Sequence, residues 1–233
     1  MQDFSLTTYK KILQELLTNG YSFQTLQDFI QNPEDKKVIL RHDVDRKPGN
    51  ALVIASIEKD AGIRASYYFR VVKESYDGHI ISQIAKMGHE IGYHYESLSL
   101  CRGNYELSIM NFELDLKKLR RFYPVKTICM HGSPLSKWDN RDLWKKYNYQ
   151  DFGIIAEPYF DIDFDEVFYL TDTGRRWDGE SVSVRDKVEG RSSKLKVQRR
   201  PRFRSTFDII EAAEKGLLPD KVIPVKSASL SLS

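Results

Sequence analysis

Short apolar segments alternate with helical patterns between residues 38 and 170. A brief apolar run bounded by polar residues is typical of a buried strand, whereas apolar residues three and four positions apart predict a helix. Strands are predicted at 38–40, 65–71, 90–95, 126–131, 152–157 and 166–171, and helices at 48–61, 78–87, 105–122 and 141–148. This alternation predicts βαβ units and therefore an α/β protein with a mainly parallel sheet or barrel.

The two ends of the chain extend this pattern. Residues 1–36 predict a helical extension, with one helix from Thr7 or Thr8 to Leu17 and a second at 21–30. Near the other end, a helix is predicted from Ser205 or Thr206 to Gly216, followed by a strand in "VIPV" and an unpatterned tail at 225–233. We interpret residues 1–233 as one domain.

Composition narrows the class of protein. Apolar residues make up 41% of the chain and aromatic residues 12%, which is enough for a sizeable core and unlike a disordered chain. Two cysteines, Cys101 and Cys129, are too few for a disulfide framework. Two reduced thiols are favoured, with a single disulfide bond between them as the alternative.

Charge and targeting patterns exclude some partners. The net charge is only +3, and the basic stretch at 191–204 has one aromatic residue and no nucleic-acid motif, so a solvated loop is favoured over a nucleic-acid surface. There is no secretory signal, and no apolar run approaches the roughly 18 residues of a membrane span. These observations predict a cytoplasmic protein; the oligomeric state is left open.

Acidic residues and histidines lie at the ends of the predicted strands. Asp43 and Asp45 follow the first strand in "RHDVD", His94 ends the third, and His131 ends the fourth. Residues i and i+2 of a strand face the same way, so the two carboxylates are expected in one site. Close carboxylates repel unless a cation lies between them or one is protonated. A D-x-D alone is usually surface charge, but the acid pair together with the histidines indicates a metal or acid–base site.

Three segments in order, "VILRHDVD", "ALVIASIEKDAGIRASYYFR" and "GHEIGYHYES", resemble the polysaccharide deacetylase family, the NodB-homology domain of carbohydrate esterase family four, in a divergent "HDVD" branch. The resemblance covers residues 38–98 well and 99–180 loosely. It implies a distorted (β/α), TIM-like barrel of about seven strands. It also implies a metal-dependent hydrolase that removes an acetyl group from an amino sugar or glycan, in surface-glycan synthesis.

The resemblance also implies roles for individual residues. Asp43 matches the general base, Asp45 and His94 match metal ligands, and His89 matches a histidine that is not a ligand. One divalent metal is implied, Zn²⁺ first, with Co²⁺, Ni²⁺ or Mn²⁺ as alternatives. In "YLTDTGRRWDG", the residues Arg175, Arg176 and Trp177 are expected to line the substrate site; a plain polar loop is the alternative.

The sequence departs from the family at two places. Position 98, where a second metal histidine is expected, holds Leu98, so we expect His131 as the third ligand, with Glu96 as the alternative. The final strand lacks the histidine that serves as general acid in the family, so we expect the end of the chain to be truncated or altered relative to the family. Two further functions stay open: hydrolysis of another C–N bond, such as a cyclic amide or imide, and a degenerate, metal-free glycan-binding or scaffold domain.

Overall fold

A computed structural model describes residues 2–133, 135–172, 177 and 203–227. Its strands are β1 (Ser22–Phe23), β2 (Lys37–Val38), β3 (Arg41–Val44), β4 (Ser66–Phe69), β5 (Glu90–Tyr95), β6 (Ile128–Met130), β7 (Phe168–Thr171) and β8 (Lys221–Ser227). Its helices are α1 (Leu6–Thr18), α2 (Leu26–Gln31), α3 (Pro48–Asp60), α4 (Gly78–Lys86), α5 (Ser97–Leu100), α6 (Tyr105–Leu119), α7 (Pro158–Asp161) and α8 (Thr206–Glu214), with 3-10 helices at Asn140–Lys145 and Tyr149–Phe152.

The eight strands form one parallel sheet in the order β1-β2-β8-β3-β4-β5-β6, with β7 paired to β8. Every strand pair is parallel, as expected for strands joined by helical crossovers. The predicted α/β class with a parallel sheet is confirmed. Among the described residues the sheet is open, so the predicted closure into a barrel is not seen in these strands.

Side chains alternate between two faces of the sheet. One face packs against the helices in a large core cluster that includes Val44, Tyr67 and Phe69. The other face carries a second apolar cluster that includes Tyr68 and Cys129. Because alternate residues of a strand share a face, the polar residues that accompany the second cluster are brought together where the strands end.

A glycine makes room inside this second face. A Cβ atom added to Gly92 of β5 would overlap the ring of Tyr68 on the neighbouring β4. The hydroxyl of Tyr68 lies 2.9 Å from Thr127 Oγ1, which fixes the position of the ring. The glycine of "EIGYH" is therefore required by close packing at this point of the sheet.

Several predicted elements have different bounds. The helix predicted at 21–30 is a short strand, β1, followed by α2 with Thr25 as its N-cap. The strand predicted at 152–157 is wrong: a 3-10 helix occupies its start, and only Ala156 forms a bridge, to Thr127. The predicted tail is wrong at its beginning, since β8 continues through Ser227.

The N-terminal segment belongs to the main core. Helix α1 packs against α8, and its buried residues include Ile12 and Leu13 of the large cluster. The hydroxyl of Tyr21 donates to the carbonyl oxygen of Leu218 at 2.6 Å, and β1 joins the sheet. Residues 2–36 are thus an integral layer of the fold rather than an added extension.

Candidate metal centre

Asp45, His94 and His131 meet where β3, β5 and β6 end. The Nε2 atom of His94 lies 3.5 Å from Asp45 Oδ1, and the Nε2 atom of His131 lies 3.6 Å from the same oxygen. One ligand atom from each of the three residues lies within 4.8 Å of the other two. The three side chains therefore converge on one point, as the ligands of a metal ion do.

The spacing fits a tetrahedral divalent ion. Metal–ligand distances of about 2.0–2.1 Å place tetrahedral ligand atoms about 3.3 Å apart, close to the two separations measured to Asp45. Asp45 Oδ1 is buried and has no hydrogen-bond partner among the described residues. Since a buried carboxylate oxygen rarely stays unpaired, this atom is suited to a cation between itself and the imidazoles.

His94 is fixed in the form that a metal requires. Its Nδ1 atom lies 3.0 Å from the carbonyl oxygen of Cys129, so Nδ1 carries the proton and Nε2 presents its lone pair to Asp45. Burial lowers the pKa of His94, and the charge of His131 adds to this, whereas Asp43 and Asp45 oppose it. The net lowering favours a neutral imidazole, which is the ligand form.

His131 is oriented by a carboxylate. Its Nδ1 atom lies 3.1 Å from Glu96 Oε2 and 3.1 Å from Ser133 Oγ, which turns Nε2 towards Asp45. Glu96, the alternative third ligand, contacts the imidazole instead of joining the triad. Leu98 is 1% exposed in α5, so position 98 belongs to the core.

Asp43 lies beside the triad and is held by Arg41. Arg41 Nε donates to Asp43 Oδ1 at 2.9 Å and Arg41 Nη2 donates to Oδ2 at 2.7 Å, while Oδ2 is 3.8 Å from His94 Nε2. Burial alone would raise the pKa of Asp43, but the charge of Arg41 and its hydrogen bonds to the carboxylate, together with the nearby histidines, lower the pKa overall. Asp43 is thus an ionised carboxylate poised at the edge of the candidate metal centre.

Arg41 is itself buried between aromatic rings. Its guanidinium carbon lies 5.8 Å from the ring centre of Tyr68 and 5.7 Å from that of Tyr159. Such cation–π contacts stabilise a charge that would otherwise be costly to bury. Sequence reasoning missed Arg41 as a site residue, although its position two residues before Asp43 puts both on the same face of β3.

Arg70 is a second cation missed from the sequence. It follows β4, and its Nε and Nη2 atoms lie 2.7 and 2.6 Å from Glu96 Oε1. Its Nη1 atom lies 3.4 Å from the carbonyl oxygen of Asp45. Arg70 therefore connects the residue that orients His131 to the backbone of another candidate ligand.

The histidine between Arg41 and Asp43 points away from the site. His42 Nε2 lies 2.6 Å from Glu58 Oε1 of α3, and Glu58 also accepts hydrogen bonds from the hydroxyls of Tyr9 and Tyr67. Burial would raise the pKa of Glu58, but His42 and its other partners lower it overall. This buried network supports β3 from behind, and no pattern in the helix "ALVIASIEKD" predicted it.

His89 is structural, as expected for a residue that is not a ligand. Its Nδ1 atom accepts the N–H of Ala65 at 3.1 Å, and its Nε2 atom lies 3.0 Å from the carbonyl oxygen of Ala55. Both ring nitrogens are therefore engaged with the backbone, on the helix side of the sheet.

The predicted substrate-binding residues are not brought to this site by the described structure. Arg175 and Arg176 lie outside the described residues. Trp177 is 4% exposed, stacks on Phe4 at 5.7 Å and donates from Nε1 to Thr206 Oγ1 at 3.0 Å. Because its ring is enclosed in the core, the prediction that Trp177 lines the substrate site does not agree with its placement.

The two cysteines form no disulfide bond in the structure, and the described helices are too short or too polar to span a membrane. Cys101 and Cys129 are both free, and Cys129 is buried. In the described part of the chain, no helix has the length and apolar character needed to cross a membrane.

No protein-family model matches the chain, and no curated protein matches it either.

Proposed function

We propose that the chain is a metal-dependent hydrolase that removes an acetyl group from an amino sugar or glycan, with a fold related to the distorted (β/α) barrel of polysaccharide deacetylases. The observation that carries the proposal is the candidate triad of Asp45, His94 and His131 with the ionised Asp43 beside it. The order of the motifs "RHDVD" and "GHEIGYH" supports the same assignment.

The donor set decides which ion is expected. Two imidazole nitrogens and one carboxylate oxygen suit zinc, with cobalt, nickel or manganese as alternatives. Three protein ligands leave one position open, as in catalytic rather than structural zinc sites. When bound, a divalent ion supplies Lewis-acid chemistry, polarising an acyl oxygen and making water a nucleophile at neutral pH.

Asp43 is the proposed general base. It takes the proton from the attacking water, and Arg41 keeps the carboxylate ionised and fixes its direction through the two-point contact. After the tetrahedral intermediate forms, the protonated Asp43 gives this proton to the leaving nitrogen, so that acetate and a free amine result. One carboxyl group thus serves both steps.

Acetate release tests the proposal. The full chain, loaded with zinc, is incubated with N-acetylglucosamine oligomers and with O-acetylated sugars, and acetate is measured enzymatically. We expect release by the wild type and a loss of about 10²-fold or more in Asp43→Asn, the range of general acid–base catalysis. Asp151→Asn, at an exposed carboxylate, is the control and should match the wild type. Equal release by Asp43→Asn and wild type would remove Asp43 from the mechanism.

A further inference from the structure

Glu96 occupies a special place behind the candidate metal centre. It follows β5 two residues after His94 and is 6% exposed. Its two carboxylate oxygens have different partners: Oε2 faces His131 Nδ1 at 3.1 Å, and Oε1 accepts from Arg70 Nε at 2.7 Å. Each oxygen is thus committed to a neighbour other than Asp45 or His94.

Glu96 rather than Ser133 decides which nitrogen of His131 faces the ligands, because a carboxylate can only accept a hydrogen bond, whereas the Ser133 hydroxyl at the same 3.1 Å can accept or donate. A neutral imidazole carries its proton on Nδ1 or Nε2, and only the nitrogen without the proton binds a metal. A carboxylate next to Nδ1 favours the Nδ1–H tautomer, so the lone pair lies on Nε2, the atom 3.6 Å from Asp45 Oδ1.

Arg70 prevents Glu96 from turning towards the ligands. Its two donors converge on Oε1 at 2.7 and 2.6 Å, and the pair is largely shielded from solvent. Its third nitrogen reaches the carbonyl oxygen of Asp45 at 3.4 Å, so the guanidinium spans β3 and β5. Lysine would offer a point charge but not this planar fork.

We propose that Glu96, anchored by Arg70, is a positioning residue that fixes His131 as the third metal ligand. This arrangement takes the place of a histidine at position 98, where Leu98 is packed into the core. The inference rests on the metal centre of the proposed function, and it assigns Glu96 and Arg70 a role that is separate from the acetyl chemistry.

Zinc titration calorimetry on the metal-stripped full chain tests the proposal. Glu96→Ala should raise the Kd for zinc about 10- to 100-fold, the usual effect of removing such a partner. Glu96→Gln should raise it less, because the amide oxygen still accepts the Nδ1 proton. Arg70→Met should also raise it, because Glu96 loses its anchor. Glu90→Gln, at a buried carboxylate on the same face of β5, should leave the Kd unchanged.

Two calorimetric results would overturn the proposal. A Kd for Glu96→Ala equal to that of the wild type would show that Glu96 does not position His131. Loss of zinc binding in Glu96→Gln as complete as in Asp45→Ala would make Glu96 a ligand itself. Circular dichroism of each variant establishes whether it is folded. If Glu96→Ala fails to fold, the near-isosteric Glu96→Gln and the variant at the more exposed Arg70 still test the proposal.

The histidine tautomer provides a readout without metal. Two-bond ¹H–¹⁵N spectra of the metal-free protein should show His131 with its proton on Nδ1, and Glu96→Ala should increase the Nε2–H population. An unchanged tautomer in Glu96→Ala would contradict the proposal. A wild type that binds no zinc would instead contradict the proposed function, and the spectra would still decide whether Glu96 orients His131.

Discussion

Replacement of Arg41 by methionine should strongly destabilise the protein, because it leaves the carboxylate of Asp43 without its counter-charge. The two side chains are 4% and 15% exposed, and they are joined at two points. Exposed ion pairs contribute about 0–1 kcal/mol, whereas removing one partner of a buried pair costs about 3–5 kcal/mol. Since Asp43 keeps some access to solvent, we expect the lower end of that range, about 3 kcal/mol.

A double-mutant cycle separates the ion pair from the packing of Arg41. Arg41→Met and Asp43→Asn each leave one charge unpaired, whereas the double variant leaves neither. The double variant should therefore cost less than the sum of the two single variants, by about 2 kcal/mol. Methionine keeps most of the apolar stem between the rings of Tyr68 and Tyr159, so the loss of packing is small.

Urea denaturation of the metal-free chain measures these free energies of unfolding without linkage to metal binding. Arg141→Met is a matched control, since Arg141 also lies over the ring of Tyr159 and pairs with the aspartate two residues before it, Asp139, at 2.6 Å. That pair is more exposed, at 15% and 28%, so about 1 kcal/mol is expected. A loss for Arg41→Met no larger than for Arg141→Met, or an additive cycle, would refute the reasoning.

Two further predictions concern stability. Gly92→Ala should reduce the free energy of unfolding by about 1–3 kcal/mol, because the added methyl meets the ring of Tyr68; an unchanged urea midpoint would contradict this. Burial raises the pKa of Glu157 from 4.5 to about 7, so between these two pH values the folded protein keeps a proton on Glu157 that the unfolded chain has lost. The resulting stability should be present below pH 4.5 and lost as the pH rises to about 7, on the order of 3 kcal/mol in all. Glu157→Gln should remove this slope from a pH series of urea titrations, and parallel slopes would argue against it.

The strongly periodic elements were predictable from the sequence. The helix predicted at 105–122 is α6, and the strand predicted at 90–95 is β5, because long apolar patterns dominate local preference. The end of β8 was not predictable in this way. Lys226 and Ser227 pair with His42 and Asp43 through the backbone, which requires no apolar pattern.

The candidate site was predictable only in part. Strand ends and same-face spacing indicated Asp43, Asp45 and His94. In the structure, one carboxylate oxygen of each aspartate lies within 4 Å of His94 Nε2. The choice between His131 and Glu96 as third ligand required side-chain geometry, since each residue directly follows the end of a strand. The prediction that Trp177 lines the substrate site was wrong, because an aromatic residue within a polar segment is still buried where it can pack against a neighbouring apolar cluster.

The two arginine contacts differ in how far the sequence indicates them. Arg41 pairs with Asp43 on its own strand, a contact that same-face spacing could have indicated. Arg70 contacts Glu96 after the neighbouring strand, and only strand register sets that contact. The structure supplies the register by placing Phe69 opposite Tyr93 in the β4–β5 pair, so that Arg70 and Glu96 follow neighbouring strand ends.

Metal stoichiometry tests the central claim most directly. The purified full chain is stripped with chelator, reloaded with zinc, desalted and analysed by mass spectrometry of metals, beside Asp45→Ala, His94→Ala and His131→Ala. We expect about one equivalent of zinc in the wild type and loss of most of it in each variant, with Glu90→Gln retaining it. A wild type that retains no divalent metal, with zinc, cobalt, nickel or manganese, would contradict the account, and so would a His131→Ala variant that holds zinc as tightly as the wild type.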